Sequence, residues 1–110
     1  MISSTANSRV KHVVQLREKG RERKKEGVFL AEGIRMFQET PASRIRELYI
    51  EETLAERPQT EDFSEKIEAC RQAGIFVETV SSEVMKKMAD TMSPQGVLVV
   101  AEMFAYQPEE

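Results

Sequence analysis

The chain has few residues of the kinds that build metal centres and hydrolytic sites. Among its 110 residues, His12 is the only histidine and Cys70 is the only cysteine. No carboxylates stand at the spacing of a metal-binding motif. A single cysteine cannot form an internal disulfide, which fits a reducing cytoplasm. The composition therefore argues against a metal-dependent or hydrolytic active site.

Long apolar runs and glycine-rich loops are missing as well. No stretch approaches the roughly 18–20 apolar residues of a membrane span, and residues 1–6 lack the basic and apolar segments of a signal peptide. We therefore expect a soluble, cytoplasmic protein. Neither a G-x-G-x-x-G nor a Walker loop occurs, so we expect no nucleotide-type cofactor site in this chain. The length and the 40% hydrophobic content suit one compact domain.

Positive charge is concentrated at one end of the chain. Residues 1–46 contain 11 lysines and arginines against 5 glutamates, a net charge of +6, whereas residues 47–110 contain 5 against 14 acidic residues, a net charge of −9. The densest basic run spans residues 21–25 and leads into an apolar segment. Such a cluster is typical either of a solvated surface or of a surface that binds a polyanion, and RNA is the polyanion we favour.

Apolar periodicity predicts alternating helices and strands. Val10, Val13 and Val14 mark a first helix capped by Ser8, and residues 21–27, after Gly20, are predicted to form a loop. Further helices are predicted over residues 34–40, from residue 62 and after residue 81 or 82, with strands at residues 28–31, 45–50, 75–80 and 97–101. This order predicts an α/β fold, a three-layer α/β/α sandwich around a mainly parallel four-stranded sheet. The last strand is an unbroken apolar run, which predicts burial on both faces.

Three segments carry a family resemblance. They are residues 7–11 (NSRVK), the basic run into residues 27–33 (GVFLAEG), and residues 90–97 (DTMSPQGV). In this order the chain resembles, over nearly its whole length, the N-terminal substrate-binding domain of the SpoU (TrmH-type) RNA 2′-O-ribose methyltransferases. The resemblance implies a fold similar to that of the kink-turn-binding ribosomal proteins.

The resemblance also implies a division of labour in a longer parent protein. Residues 1–106 would bind ribosomal or transfer RNA, and residues 107–110 would begin a linker to a catalytic domain that binds S-adenosylmethionine. This chain alone is then not expected to be catalytic or to bind a cofactor. The parent would dimerise through the catalytic domain, so this segment could be monomeric. Two alternatives stay open: a stand-alone ribosomal or kink-turn-type RNA-binding protein, and an acidic protein-interaction module.

Candidate RNA contacts follow from charge and from two turns. Cationic side chains neutralise phosphates, and the planar fork of arginine can also pair with phosphate or stack on an unpaired base. We expect residues 32–35 and 90–96 to lie side by side at one edge of the sheet, with backbone N–H groups accessible at their glycines. The polar residues of the second turn could instead dock the catalytic domain. The candidates are Asn7, Arg9, Lys11, Arg21, Arg23, Lys24, Lys25, Gly33, Arg35, Thr91, Ser93 and Gln95.

Overall fold

The computed structural model describes residues 1–57, 59–89 and 95–103, which form a four-stranded sheet with helices on both faces. The predicted linker at residues 107–110 lies outside the described residues, as do Thr91 and Ser93. The helices are α1 (Ser8–Glu18), α2 (Gly20–Glu26), α3 (Ile34–Glu39), α4 (Glu52–Glu56), α5 (Glu61–Gln72) and α6 (Ser82–Ala89), with a 3₁₀ turn at Ala42–Arg44. The strands are β1 (Val28–Glu32), β2 (Ile45–Glu51), β3 (Phe76–Val80) and β4 (Val97–Glu102).

The strands lie in the order β1-β4-β2-β3. Strands β2 and β3 are parallel, whereas β4 pairs antiparallel with both β1 and β2. The sheet is therefore mixed, and the prediction of a mainly parallel sheet is wrong. The start of β4 lies at the edge where β1, β2 and β3 end, so β4 runs against them. The apolar run at residues 97–101 indicated burial, and burial does not fix the direction of a strand.

Strand β4 is buried on both faces, as predicted. Leu98 and Val100 belong to one hydrophobic cluster, and Val97, Val99 and Ala101 belong to a second, as the alternation of side chains along a strand requires. The first cluster is covered by α1 and α6, and the second by α3 and α5. Helices therefore cover both faces of the sheet, which confirms the α/β class.

Helix α1 is capped one residue earlier than predicted. The N-cap is Asn7, and Ser8 is the first helical residue. Oδ1 of Asn7 accepts hydrogen bonds from the N–H groups of Arg9 at 2.8 Å and Val10 at 3.4 Å, two donors that the start of a helix leaves without partners. The predicted apolar stripe is confirmed, since Val10 and Val13 are fully buried.

Residues 21–27, predicted as a loop, form helix α2 and its cap. Lys19 has an extended backbone (φ −122°, ψ 102°) that separates α1 from α2, and Gly20 begins the second helix. Gly27 ends it in the left-handed region (φ 71°, ψ 37°), a conformation that favours glycine. The loop prediction is wrong because arginine, lysine and glutamate are good helix formers, and Gly20 stands at a helix start.

The segment between β2 and β3 also contains more helix than predicted. Helix α4 directly follows β2, and Glu51 caps this helix by accepting from the N–H of Leu54 at 3.3 Å. Helix α5 buries Phe63 and Cys70. Its N-cap is Thr60, which accepts from the N–H of Phe63 at 3.2 Å.

Among the described residues, no helix combines the length and apolarity that crossing a bilayer requires.

Candidate nucleic-acid interface

The ends of β1, β2 and β3 and the start of β4 meet at one edge of the sheet, called here the upper edge. The turn after β1 contacts the chain before β4: Oε2 of Glu32 accepts from the N–H of Gln95 at 2.8 Å, and the N–H of Gly33 donates to the carbonyl of Val97 at 2.9 Å. The prediction that the two turns lie side by side is confirmed for the described part of the second turn, Gln95 and Gly96.

Gly33 allows this close approach. Its backbone (φ 105°, ψ 157°) lies in a region that glycine occupies almost alone. A Cβ atom at this position would lie 2.2 Å from Oε1 of Gln95, so the side chain of Gln95 rests directly on the glycine. Gly33 is buried, and its N–H is already hydrogen-bonded. The expected open backbone N–H is therefore not found at Gly33, and this turn presents the exposed Gln95 instead.

A buried carboxylate braces the same edge. Glu51, at the end of β2, is 8% exposed and accepts hydrogen bonds from the hydroxyls of Ser82 and Thr53 and from the N–H of Leu54. Burial alone would raise the pKa of the Glu51 carboxyl, but these hydrogen bonds outweigh it and hold the pKa below its ordinary value. The N–H of Glu51 donates to the carbonyl of Gly96 at 2.8 Å, which ties β2 to the start of β4.

Helix α2 carries exposed cations beside β1. Arg21, Lys24 and Lys25 are exposed, and α2 packs against α1 and against β1. Helix α2 directly precedes β1, and the turn at Gly33 directly follows it. The basic run and the first of the two predicted turns therefore flank the same edge strand.

Arg23, in the same helix, is oriented differently. It is half-buried, and its Nη1 donates to the carbonyls of Leu16 at 2.8 Å and Arg17 at 2.9 Å. These carbonyls belong to the last turn of α1, where a helix leaves acceptors without amide partners. This guanidinium therefore joins α2 to the end of α1.

Arg9 lies at the opposite side of the sheet from α2. Its guanidinium carbon is 3.6 Å from the ring centroid of Phe76, and its Nη1 is 3.7 Å from Oε2 of Glu47. The hydroxyl of Tyr49 also donates to Glu47. Burial raises the pKa of Tyr49 far above its ordinary value, and the hydrogen bond to Glu47 and the charge of Glu47 add to this effect. Phe76 is in β3, which β4 and β2 separate from β1. The structure does not bring Arg9 together with the cations of α2.

The remaining candidates are dispersed. Lys11 is exposed on α1. Arg35 is exposed on α3, directly after the upper-edge turn, and its Nε lies 3.2 Å from Oε2 of Glu39. The side chain of Asn7 is engaged as the cap of α1. Of this group only Arg35 is close in sequence to the Gly33 turn.

Two features of this surface were not predicted. A cleft of about 160 Å³, lined by Arg17, Leu30, Glu32 and Leu98 among others, lies between the end of α1 and the upper edge. Nε2 of His12 lies 2.8 Å from Oε2 of Glu26 and connects α1 with α2. Both features join residues that are far apart in sequence, so no local pattern signals them. Within the described ranges, no group of three or more histidine, cysteine, aspartate and glutamate side chains is placed to hold a metal ion.

Comparison with known proteins identifies what the chain is similar to. The family model of the MRM3-like substrate binding domain matches residues 7–99. No curated protein matches the chain significantly. An AdoMet-bound rRNA methyltransferase from Sinorhizobium meliloti superposes with a TM-score of 0.73 at 24% sequence identity, over 96% of this chain and 37% of that protein.

Two further solved structures share the architecture. An RNA 2′-O-ribose methyltransferase matches with a TM-score of 0.69 at 25% identity, over 99% of this chain and 40% of that protein. The SpoU methyltransferase AviRb from Streptomyces viridochromogenes, in complex with AdoMet, matches with a TM-score of 0.59 at 20% identity, over 94% of this chain and 36% of that protein. The chain therefore spans less than half the length of the methyltransferases that it resembles.

Proposed function

Because the chain belongs to the MRM3-like substrate binding domain family over residues 7–99, we propose that it is the RNA-recognition domain of a ribosomal or transfer RNA 2′-O-ribose methyltransferase. In this proposal the chain binds and orients the RNA in the cytoplasm. A domain of the parent protein outside these 110 residues binds S-adenosylmethionine, carries out methyl transfer and forms the dimer, so this chain alone transfers no methyl group. The greater length of the similar methyltransferases supports a further domain.

One observation carries this proposal. Helix α2, which carries the exposed cations, directly precedes β1, and β1 ends at the turn where Gln95 lies on Gly33. A five-residue strand is roughly 16 Å long, which corresponds to about five phosphates of one strand measured along the axis of a nucleic-acid duplex. A single short RNA segment can therefore meet both the cations of α2 and the exposed amide of Gln95. The cations would supply affinity, and the amide would supply hydrogen bonds to a base or to a 2′-hydroxyl.

The glycines of the upper edge support a role in RNA recognition better than in cofactor binding. Sites for nucleotide-type cofactors use glycines to let a phosphate approach an open backbone. Here Gly33 is covered by Gln95, and a Cβ atom at Gly96 would lie 3.0 Å from Cδ2 of Leu54. Both glycines are in contact with the protein itself. We therefore assign no part of S-adenosylmethionine binding to this edge.

The test is a comparison of two double variants that remove the same charge. In Arg21→Gln/Lys24→Gln, two exposed cations of α2 are lost, whereas in Arg57→Gln/Arg71→Gln two exposed arginines of the α4–α5 side are lost. Affinity for a labelled RNA hairpin is measured across salt concentrations, with a DNA hairpin of the same sequence beside it. The α2 variant should make the salt dependence of log K shallower by about 1.4–1.8, since each lost phosphate contact removes about 0.7–0.9.

Three outcomes would contradict this function. Equal effects of the two double variants would mean that α2 is not the interface. An affinity for the DNA hairpin as high as for the RNA hairpin would argue against RNA recognition. Salt-independent or absent RNA binding would instead favour the acidic protein-interaction alternative, whose surface would be the exposed carboxylates of α5.

A further inference from the structure

Two arginines connect three helices by capping the C-terminal ends of two of them. Nε of Arg17, in α1, donates to the carbonyl of Met88 at 3.0 Å, and its Nη2 donates to the carbonyl of Lys87 at 3.4 Å, so Arg17 caps α6. Arg23, in α2, caps α1 through the carbonyls of Leu16 and Arg17. The C-terminus of a helix carries partial negative charge, and a guanidinium placed there is favoured both as a donor and as a cation. Helix α2 is thereby attached to α1, and α1 to α6.

The side chain of Arg23 passes close to the backbone of Gly20. A Cβ atom at Gly20 would lie 3.3 Å from Nη2 of Arg23, closer than such contacts normally are, so the guanidinium passes directly over Gly20. The guanidinium is directed into the protein, whereas Arg21, Lys24 and Lys25 are exposed. The four cations of one short helix therefore divide into one that faces inward and three that face solvent.

We propose that Arg23 is a positioning residue, which fixes the basic helix α2 against α1 and thereby sets the three exposed cations where RNA meets them. Arg17 extends the connection to the end of α6. Arg23 thus acts through Arg21, Lys24 and Lys25 and contributes no RNA contact of its own. This inference rests on the proposed RNA-binding function for its consequence, but the fixing of α2 by Arg23 is measurable without RNA.

The experiment uses two matched substitutions in the 110-residue chain and a rescue. Arg23→Met keeps an unbranched apolar stem and removes the guanidinium donors. Arg21→Met makes the same chemical change at an exposed neighbour. Amide hydrogen exchange of residues 21–27 is followed by NMR without RNA. Arg23→Met should accelerate exchange in α2 by about five-fold or more, as the loss of hydrogen bonds of ordinary strength predicts, and Arg21→Met should leave it unchanged.

Affinity for the labelled RNA hairpin is the second measurement. Arg21→Met should make the salt dependence shallower by about 0.7–0.9, whereas Arg23→Met should weaken binding more, because three phosphate contacts are displaced together. Arg23→Lys should restore both exchange and affinity, since one ammonium can donate to the same two carbonyls.

Each result decides the inference. Wild-type exchange rates in α2 of Arg23→Met would overturn it, whatever the affinity. Failure of Arg23→Lys to restore affinity while restoring exchange would also overturn it, because an RNA contact made by the planar fork of Arg23 predicts that pattern. If the wild-type chain binds no RNA, the proposed function fails, and the exchange measurement still decides whether Arg23 fixes α2.

Discussion

Replacing Gly33 with alanine tests how the upper edge is built. The backbone of Gly33 (φ 105°, ψ 157°) is one that an L-residue adopts at a cost of roughly 1–3 kcal/mol. The new Cβ would also meet Oε1 of Gln95 at 2.2 Å. Because Gln95 is exposed, its side chain can move away at little cost in stability, but it then leaves the turn. We expect Gly33→Ala to lower the free energy of unfolding by about 1–3 kcal/mol, mainly through the backbone.

The control is Gly27→Ala. Gly27 also has a positive φ, of 71°, but nothing lies within 4 Å of a Cβ atom there, and its left-handed conformation is open to L-residues at a cost of about 1–2 kcal/mol. Urea unfolding of wild type, of both single variants and of Gly33→Ala/Gln95→Ala gives the comparison. If the backbone dominates, adding Gln95→Ala to Gly33→Ala restores little stability.

The RNA hairpin separates the two parts of this argument. Gly33→Ala should weaken RNA binding in the still-folded protein, because Gln95 is displaced, whereas Gly27→Ala should weaken it less. A Gly33→Ala protein as stable as wild type, or less affected than Gly27→Ala, would refute the account of the turn. Full recovery of stability in the double variant would show that the contact with Gln95, rather than the backbone, sets the cost.

Three other outcomes are expected. The hydrogen bonds of Glu51 hold its pKa below the ordinary value in the folded protein, despite burial. Its contribution to stability is therefore present above the unfolded-state pKa and is lost as pH falls through the folded-state pKa. Glu51→Gln should flatten the pH dependence of the free energy of urea unfolding below about pH 4.5. The ammonium of Lys66 donates to the carbonyls of Phe37, Gln38 and Thr40 at the end of α3, so Lys66→Met should cost about 1–3 kcal/mol in the same assay, whereas the exposed Lys86→Met should cost almost nothing. Cys70 lies in the core, and burial also raises the pKa of its thiol. A disulfide reagent should therefore label Cys70 only as fast as the protein opens. Prompt labelling of the native protein at neutral pH would contradict its placement in the core.

Local sequence patterns predicted most of the elements of this fold. The stripe of Val10 and Val13 and the apolar run at residues 97–101 each depend on burial, and burial leaves a periodic signal in the sequence. The direction of β4 left no such signal, because an antiparallel and a parallel central strand need the same apolar residues. Helix α2 does not follow from the sequence pattern, because a glycine after a helical stripe is typical of a helix end, whereas Gly20 begins a helix.

The candidate interface was predictable only in part. The sequence predicted that the Gly33 turn lies beside residues 90–96, but the contact with Gln95 depends on β4 running antiparallel to β1. A parallel β4 would have placed the two turns at opposite edges of the sheet. The inward direction of Arg23 and the distant position of Arg9 did not follow, because both depend on partners that folding supplies, the carbonyls of Leu16 and Arg17 in one case and Phe76 in the other. Charge in a sequence identifies cations, and packing decides which of them face solvent.

The central position of β4 has a consequence for how the protein is made. Among the strands that the structure describes, β1, which follows the basic helix, pairs only with β4, and β4 lies between β1 and β2. The partners Val28 and Glu102 are separated by about two thirds of the 110-residue chain, and contacts of such large sequence separation form late and slowly. During synthesis from the N-terminus, α2 and β1 therefore remain without their sheet until residues 97–102 have emerged. The proposed RNA-binding surface would therefore be complete in a nascent chain only after the last strand is in place.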